Sequence, residues 1–134
     1  MLIKTTPDKE KANSILKMVE VTLRMIEEIN TEKFPSNIIK EYHDVVRELI
    51  SILALLDGYK TIGEGAHKEL IDYLKDNYSQ FSQQEIIFLD QLRTNRNRIT
   101  YDGFFIDSDY VIRNKDSIRK IINKLNNLIK QKIK

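Results

Sequence analysis

The longest nearly apolar run of this chain is Leu49-Ile-Ser-Ile-Leu-Ala-Leu-Leu56. It ends a predicted helix over residues 37–57, whose earlier part is amphipathic through Ile38, Tyr42 and Val45. A helix that is apolar on all sides must be buried on most of them. The run is far shorter than the roughly 20 apolar residues of a membrane span. The sequence therefore predicts a central core helix and no membrane contact.

Helical patterns lie on both sides of this central helix. The spacing of Ile15 and Val19 predicts a first helix up to about residue 30, with Thr6 as the capping hydroxyl and Pro7 at the first helical position. A short helix is predicted over residues 66–77.

The second half of the chain begins with a strong helix signal. Ser82 and Glu85 have the spacing of a capping box, which predicts a third long helix from there to about residue 98. Residues 103–114 favour a small hairpin or an apolar loop, and a last helix is expected from about residue 115. The predicted fold is all-α, an up-and-down bundle of four to five helices in a single domain over residues 1–134.

Composition narrows the function classes. The chain has 134 residues, a net charge of +2 and no cysteine. Thiolate metal sites and cysteine nucleophiles are therefore excluded, and the lack of cysteine fits a cytoplasmic protein. The apolar start is too short to predict a signal peptide. Neither of the two histidines has a metal-ligand partner at helical spacing, so we expect no metal and no cofactor.

The final helix carries an uneven share of the positive charge. From residue 113 onward a single acid, Asp116, stands against eight basic residues. The basic residues are Arg113, Lys115, Arg119, Lys120, Lys124, Lys130, Lys132 and Lys134. This pattern predicts either a solvated helix face or a surface for an anionic partner.

The end of the third long helix holds the most distinctive chemistry. Residues 93–103 read Arg-Thr-Asn-Arg-Asn-Arg-Ile-Thr-Tyr-Asp-Gly. Leu89, Leu92, Arg96 and Ile99 share one helical face, so Arg96 projects from an otherwise apolar side. A charge in that position must be paired or serve a site. One interpretation is an ion pair with a carboxylate of a neighbouring helix, and the other is a functional arginine.

The two histidines differ in their surroundings. His43 is predicted on the flank of the central helix, whereas His67 follows a stretch with three glycines, residues 58–65, and opens the short helix. The glycine spacing fits no phosphate-binding loop. His67 is therefore interpreted either as a side chain that fixes the loop by a hydrogen bond or as the better functional candidate.

These features together resemble the HEPN domain family, the higher eukaryote and prokaryote nucleotide-binding domains. The resemblance rests on the helix order, the buried second helix, Gly65-Ala-His67 in the turn, and the Arg96 to Tyr101 segment, and it covers residues 11–128. It implies an up-and-down bundle that is often a homodimer. Many members carry Arg-x4-6-His and are metal-independent ribonucleases, and others pair with nucleotidyltransferases in toxin–antitoxin systems.

The resemblance also implies roles for individual residues. Arg96 matches the family arginine, which stabilises phosphate charge, and Asn97 matches the polar residue after it. Tyr101 stands where the family has histidine, so it is expected as an acid or hydrogen-bond donor. Tyrosine is almost fully protonated at neutral pH, whereas histidine exchanges protons there. The further expected RNA or nucleotide contacts are Arg93, Arg98 and His67.

The sequence thus supports two functional hypotheses. The first is a HEPN-type homodimer that binds RNA or a nucleotide and is a metal-independent endoribonuclease in its sharper form, as a toxin-like component. The second is a non-enzymatic helical module that partners a nucleotidyltransferase or forms a dimer. In that second case, Arg96 and Tyr101 organise the contact between proteins.

Overall fold

The computed structural model describes residues 1–134, and it is built almost entirely of helices. The elements in chain order are β1 (Leu2–Lys4), α1 (Lys9–Glu28), α2 (Pro35–Leu56), β2 (Tyr59–Thr61), α3 (Ala66–Asn77), α4 (Gln83–Asp102) and α5 (Ser108–Ile133). The predicted all-α helical bundle is confirmed, with five helices.

The central element of the bundle is α2. It packs against each of the other four helices, and eleven of its residues are buried. The apolar run at its end contributes fully enclosed side chains such as Leu49, Ile52 and Leu53. None of the five helices is both long and apolar enough to cross a membrane.

A two-stranded antiparallel sheet joins the start of the chain to the segment after α2. Leu2 pairs with Thr61, and Lys4 pairs with Tyr59. Beside the sheet, the Thr5 amide donates to the Gly58 carbonyl over 2.9 Å. Gly58 has φ +88°, and a Cβ at this position would lie 3.2 Å from the carbonyl oxygen of Thr5. The sequence did not predict this sheet, because its two three-residue strands lie more than fifty positions apart and carry no local signal.

Local capping signals explain most helix starts. The predicted capping box is present: the Glu85 amide donates to Ser82 Oγ over 3.1 Å, and the Ser82 amide donates to Glu85 Oε1 over 3.0 Å. The prediction for α1 was wrong by two residues. Asp8, not Thr6, caps that helix by accepting from the Lys11 amide over 2.9 Å.

The region between α4 and α5 also differs from its prediction. The helix α4 continues to Asp102, and α5 begins at Ser108 rather than near residue 115, so there is no hairpin. Gly103 ends α4 in the left-handed conformation at φ +65°. Asp107 then accepts from the Tyr110 amide over 2.9 Å as an N-cap. Asp-Ser-Asp is both a turn signal and a capping signal, which explains the error.

Basic side chains of α5 pair with acidic side chains of other helices. Arg119 forms an ion pair with Glu27 of α1, and Lys124 lies 2.7 Å from Glu85 of α4. These contacts neutralise part of the positive charge of α5, for which the sequence also allowed an anionic partner.

The most connected of these ion pairs lies at the end of α2. Lys132 Nζ lies 2.7 Å from Asp57 Oδ1, and the Tyr78 hydroxyl donates to Asp57 Oδ2 over 2.6 Å. The Tyr73 hydroxyl also donates to Oδ2. Burial raises the pKa of Asp57, but the hydrogen bonds from Lys132, Tyr73 and Tyr78 outweigh it and lower the pKa on balance. Asp57 therefore joins the ends of α2, α3 and α5.

We expect Asp57→Ala to lower the free energy of unfolding by about 2–3 kcal/mol, because it leaves two buried hydroxyls without an acceptor. Urea unfolding measures the change, with exposed Asp116→Ala as the control at less than about 0.5 kcal/mol. Since the folded-state pKa is lowered, this stabilisation is complete above the unfolded pKa of about 3.9 and is lost as pH falls through the folded pKa. Equal losses in the two variants at neutral pH would contradict the assignment.

Candidate functional site

The helix α4 holds Arg96 in its inward face. Leu89 and Leu92 on that face are buried, and Ile99 packs against the core. The Arg96 side chain is only 16% exposed, and its Nε lies 3.5 Å from Asp44 Oδ1 of α2. That Nε is buried and makes no hydrogen bond. Arg96 thus faces a carboxylate of a neighbouring helix while keeping a donor unused.

The helix α2 presents three polar side chains to this place. His43 is the one buried polar residue of the molecule, at 4% exposure, and its Nδ1 lies 3.2 Å from Asp44 Oδ1. The prediction that His43 lies on a helix flank was wrong. One turn later, Arg47 Nη2 lies 3.1 Å from Glu48 Oε1, and the Arg47 Nε is buried without a hydrogen-bond partner.

The helix α3 brings the second imidazole. His67 is the second residue of α3, just after Gly65, which has φ +78° and provides no side-chain cap. The centroids of the His67 and His43 rings are 5.7 Å apart, with the rings tilted by 51°. We call the set of side chains gathered here the three-helix cluster. It consists of His43, Asp44, Arg47, His67 and Arg96.

Charges within the three-helix cluster shift two pKa values. For Asp44, burial raises the pKa, but the hydrogen bond with His43 and the charge of Arg96 lower it on balance. For His67, burial lowers the pKa, and the charges of Arg47, His43 and Arg96 lower it further against the opposing effect of Asp44. At neutral pH, Asp44 is therefore a carboxylate and His67 a neutral imidazole.

Two empty spaces of very different size adjoin the three-helix cluster. Beneath His43, Arg47 and His67 lies a cavity of about 10 Å³ with an otherwise apolar lining. This is about the volume of one water, so no nucleotide fits inside. On the other side of Arg47, a groove of about 350 Å³ runs between α1 and α2 and includes Asp44 and Met18 in its lining. A ligand that contacts the cluster must therefore approach from its outer surface.

The other predicted site residues on α4 do not join the three-helix cluster. Arg93 pairs with Asp90, with 2.9 Å between Nη2 and Oδ1. The Arg98 guanidinium carbon lies 3.8 Å from the centre of the Phe104 ring. Tyr101 is 75% exposed.

The geometry of α4 explains this separation. Each helical residue advances by about 100°, so Tyr101 lies about 140° around the helix from Arg96. Asn97, the next residue after Arg96, is half-buried and turned about 100° from it. Of the residues predicted from the sequence, the structure brings together only Arg96 and His67.

The sequence interpretation missed Asp44 and Arg47. A signal was available, because His43 and Arg47 are four residues apart and therefore share one side of α2.

Comparison with protein-family models, with curated proteins and with solved structures gave no match. No group of three or more His, Cys, Asp or Glu side chains is placed to hold a metal ion.

The contact between Arg96 and Asp44 is tested by a double-mutant cycle with Arg96→Gln and Asp44→Asn. We expect a coupling free energy of about 1 kcal/mol, because Arg96 is largely buried and Asp44 is about two-thirds buried. The matched control is the more exposed pair Asp90 and Arg93 on one turn of α4, with an expected coupling of about 0.5 kcal/mol or less. Urea unfolding of the single and double variants measures both. A coupling near zero for the first pair would show that Arg96 is not held by Asp44.

Proposed function

We propose that this chain is a cytoplasmic HEPN-type protein that binds RNA or a nucleotide, with Arg96 as the main phosphate contact. One observation carries the proposal. Arg96 is held in the apolar face of α4 with its Nε 3.5 Å from Asp44 Oδ1, in a cluster with a second arginine and two imidazoles from other helices. A guanidinium in a partly dry site suits the oxygens of a phosphate.

The sharper form of the proposal is a metal-independent endoribonuclease that acts as a toxin-like component. In this form Arg96 stabilises the phosphate in the transition state. Asn97 and Tyr101 lie about 100° and 140° around α4 from Arg96, so their roles in positioning the phosphate and in donating a proton or hydrogen bond require that two copies of the chain meet in a homodimer. Arg93 and Arg98 add charge at the same end of α4. His67 is a second candidate for the proton transfer in this form, because its lowered pKa leaves the imidazole unprotonated and therefore in the form of a base.

RNA binding is measured by fluorescence anisotropy of a labelled single-stranded RNA across a salt series. We expect wild-type affinity to fall steeply with salt, as for any contact with phosphates. Arg96→Gln should weaken binding about tenfold, which corresponds to the loss of one charged hydrogen bond. Arg24→Gln, an exposed arginine of α1, removes the same charge elsewhere and should change affinity less than threefold. Equal affinities of the two variants would contradict the proposal.

Cleavage is tested with the same RNA, end-labelled, in the presence of EDTA. The ribonuclease form predicts cleavage by wild type and by Arg24→Gln, and none by Arg96→Gln. Tyr101→Phe and His67→Gln then show which of the two side chains transfers the proton. If wild type binds RNA without cleaving it, the ribonuclease form is wrong and the binding form stands.

A second candidate function is a module that dimerises or partners a nucleotidyltransferase. It is favoured by apolar and aromatic side chains that remain uncovered near the α4–α5 connection. Tyr101, Phe105 and Ile112 are 75%, 88% and 62% exposed. Uncovered aromatic side chains are typical of protein contacts.

The dimer is tested by light scattering after size-exclusion chromatography. We expect a homodimer for wild type and a shift toward monomer for Phe105→Ser. Because Phe105 is almost fully exposed, its replacement should leave the free energy of unfolding of the monomer unchanged within about 0.5 kcal/mol. A wild-type protein that stays monomeric at high concentration would contradict self-association through this surface.

A further inference from the structure

One side of α1 is apolar and is left uncovered by the bundle. Met18, Val21 and Met25 are 64%, 47% and 43% exposed. They are spaced by three and four residues, so they lie along one side of the helix. The core takes a different side of α1, through residues such as Leu16 and Ile26. A contiguous apolar stripe that stays exposed is typical of a surface that contacts another molecule.

The stripe borders the groove of about 350 Å³ between α1 and α2, and Met18 belongs to both. The α1 side of this groove contains no charged residue. Its lining there consists of Ile15, Met18, Val19 and Thr22. We call the groove, together with Val21 and Met25, the α1–α2 groove. Residues 15–25 extend it over about 15 Å, almost three helical turns.

The α2 side of the α1–α2 groove is acidic. Glu41, Asp44 and Glu48 line it at a spacing of three and four residues, and Arg47 is the one basic residue of the lining. Three carboxylates against one guanidinium give the lining a formal charge of −2, in a chain whose net charge is +2. This charge repels phosphates, so the groove is separate from the RNA or nucleotide binding proposed above.

The three carboxylates differ in how far they are already engaged. Asp44 pairs with Arg96, and Glu48 pairs with Arg47. Glu41 takes part in none of the ion pairs of the chain. Its side chain is partly exposed at the edge of the groove. Glu41 is therefore the carboxylate that is most available to a cation from another molecule.

We propose that the α1–α2 groove binds a basic amphipathic helix of a partner protein. The apolar side of that helix packs on Met18 and Met25, and a Lys or Arg beside it pairs with Glu41. An amphipathic helix laid into an apolar groove is a common mode of recognition, and unbranched Met side chains adapt to the side chains they meet. The basic character of the partner follows from the acidic lining, because complementary charge selects partners.

A second copy of this chain does not offer such a helix. The excess positive charge of the chain lies on α5, but the apolar side of α5 is buried in its own bundle through residues such as Ile118 and Leu125. Ile112 is the only large apolar residue of α5 that is exposed. The occupant of the groove is therefore a different protein.

Binding is located by NMR of the methionine methyl groups. The chain has three methionines, Met1, Met18 and Met25, and two of them lie on the groove. The probe is a synthetic helical peptide of about 18 residues, five turns, with Leu on one side and Lys on the other. The control peptide has Glu in place of every Lys. We expect the Lys peptide to shift the signals of Met18 and Met25 and not that of Met1, with Met18→Leu identifying the signals.

The charge of the groove is tested by fluorescence anisotropy of the same labelled peptides. Glu41→Lys should weaken binding of the Lys peptide about fivefold, since it turns an attraction at the surface into a repulsion. It should also strengthen binding of the Glu peptide. Glu20→Lys makes the same change of charge on an exposed position about 200° around α1 from Met18, and should alter either affinity less than twofold.

Three results would overturn the proposal. The first is a Lys peptide that leaves the Met18 and Met25 signals unchanged, and the second is an equal effect of Glu41→Lys and Glu20→Lys. The third is a change of the Met18 and Met25 signals with protein concentration alone, which would show that a second copy occupies the groove. None of these measurements contains RNA, so the proposed function stands or falls separately.

Discussion

The burial of α2 is the constraint on which the rest of this structure depends. Its last two turns are apolar on every side, and such a helix is stable only when other elements cover it. The other four helices all pack against it. Because the bundle is arranged around one helix, a buried polar side chain on α2 must find its partners on α2 itself or on the helices that cover it, and this requirement locates the candidate site.

The three-helix cluster is where that requirement is met. His43 of α2 is buried, Asp44 beside it is partly exposed, and the carboxylate is paired with the imidazole and with Arg96 of α4. The Nε atoms of Arg47 and Arg96 make no hydrogen bond within the protein. The contrast with Asp57 is instructive, since its carboxylate has three donors and joins three helix ends.

Much of the fold was predictable because its signals are local. The capping box at Ser82 acts within a few residues, and the predicted bounds of α3 are those of the structure. The errors occurred where a local signal has two meanings. Asp107 was interpreted as part of a turn, but it caps α5, and the helix therefore begins seven residues earlier than expected.

The sequence by itself determined that this is a helical bundle centred on α2 and that Arg96 lies on the inward face of α4. Both follow from helical periodicity, which relates residues three or four positions apart. Only the tertiary structure decided which side chains meet Arg96. Asp44 and His67 lie 52 and 29 positions before it, and helix packing brings them together. It also decided that Tyr101 points away, since α4 continues through residue 101 and rotates that side chain to the opposite side.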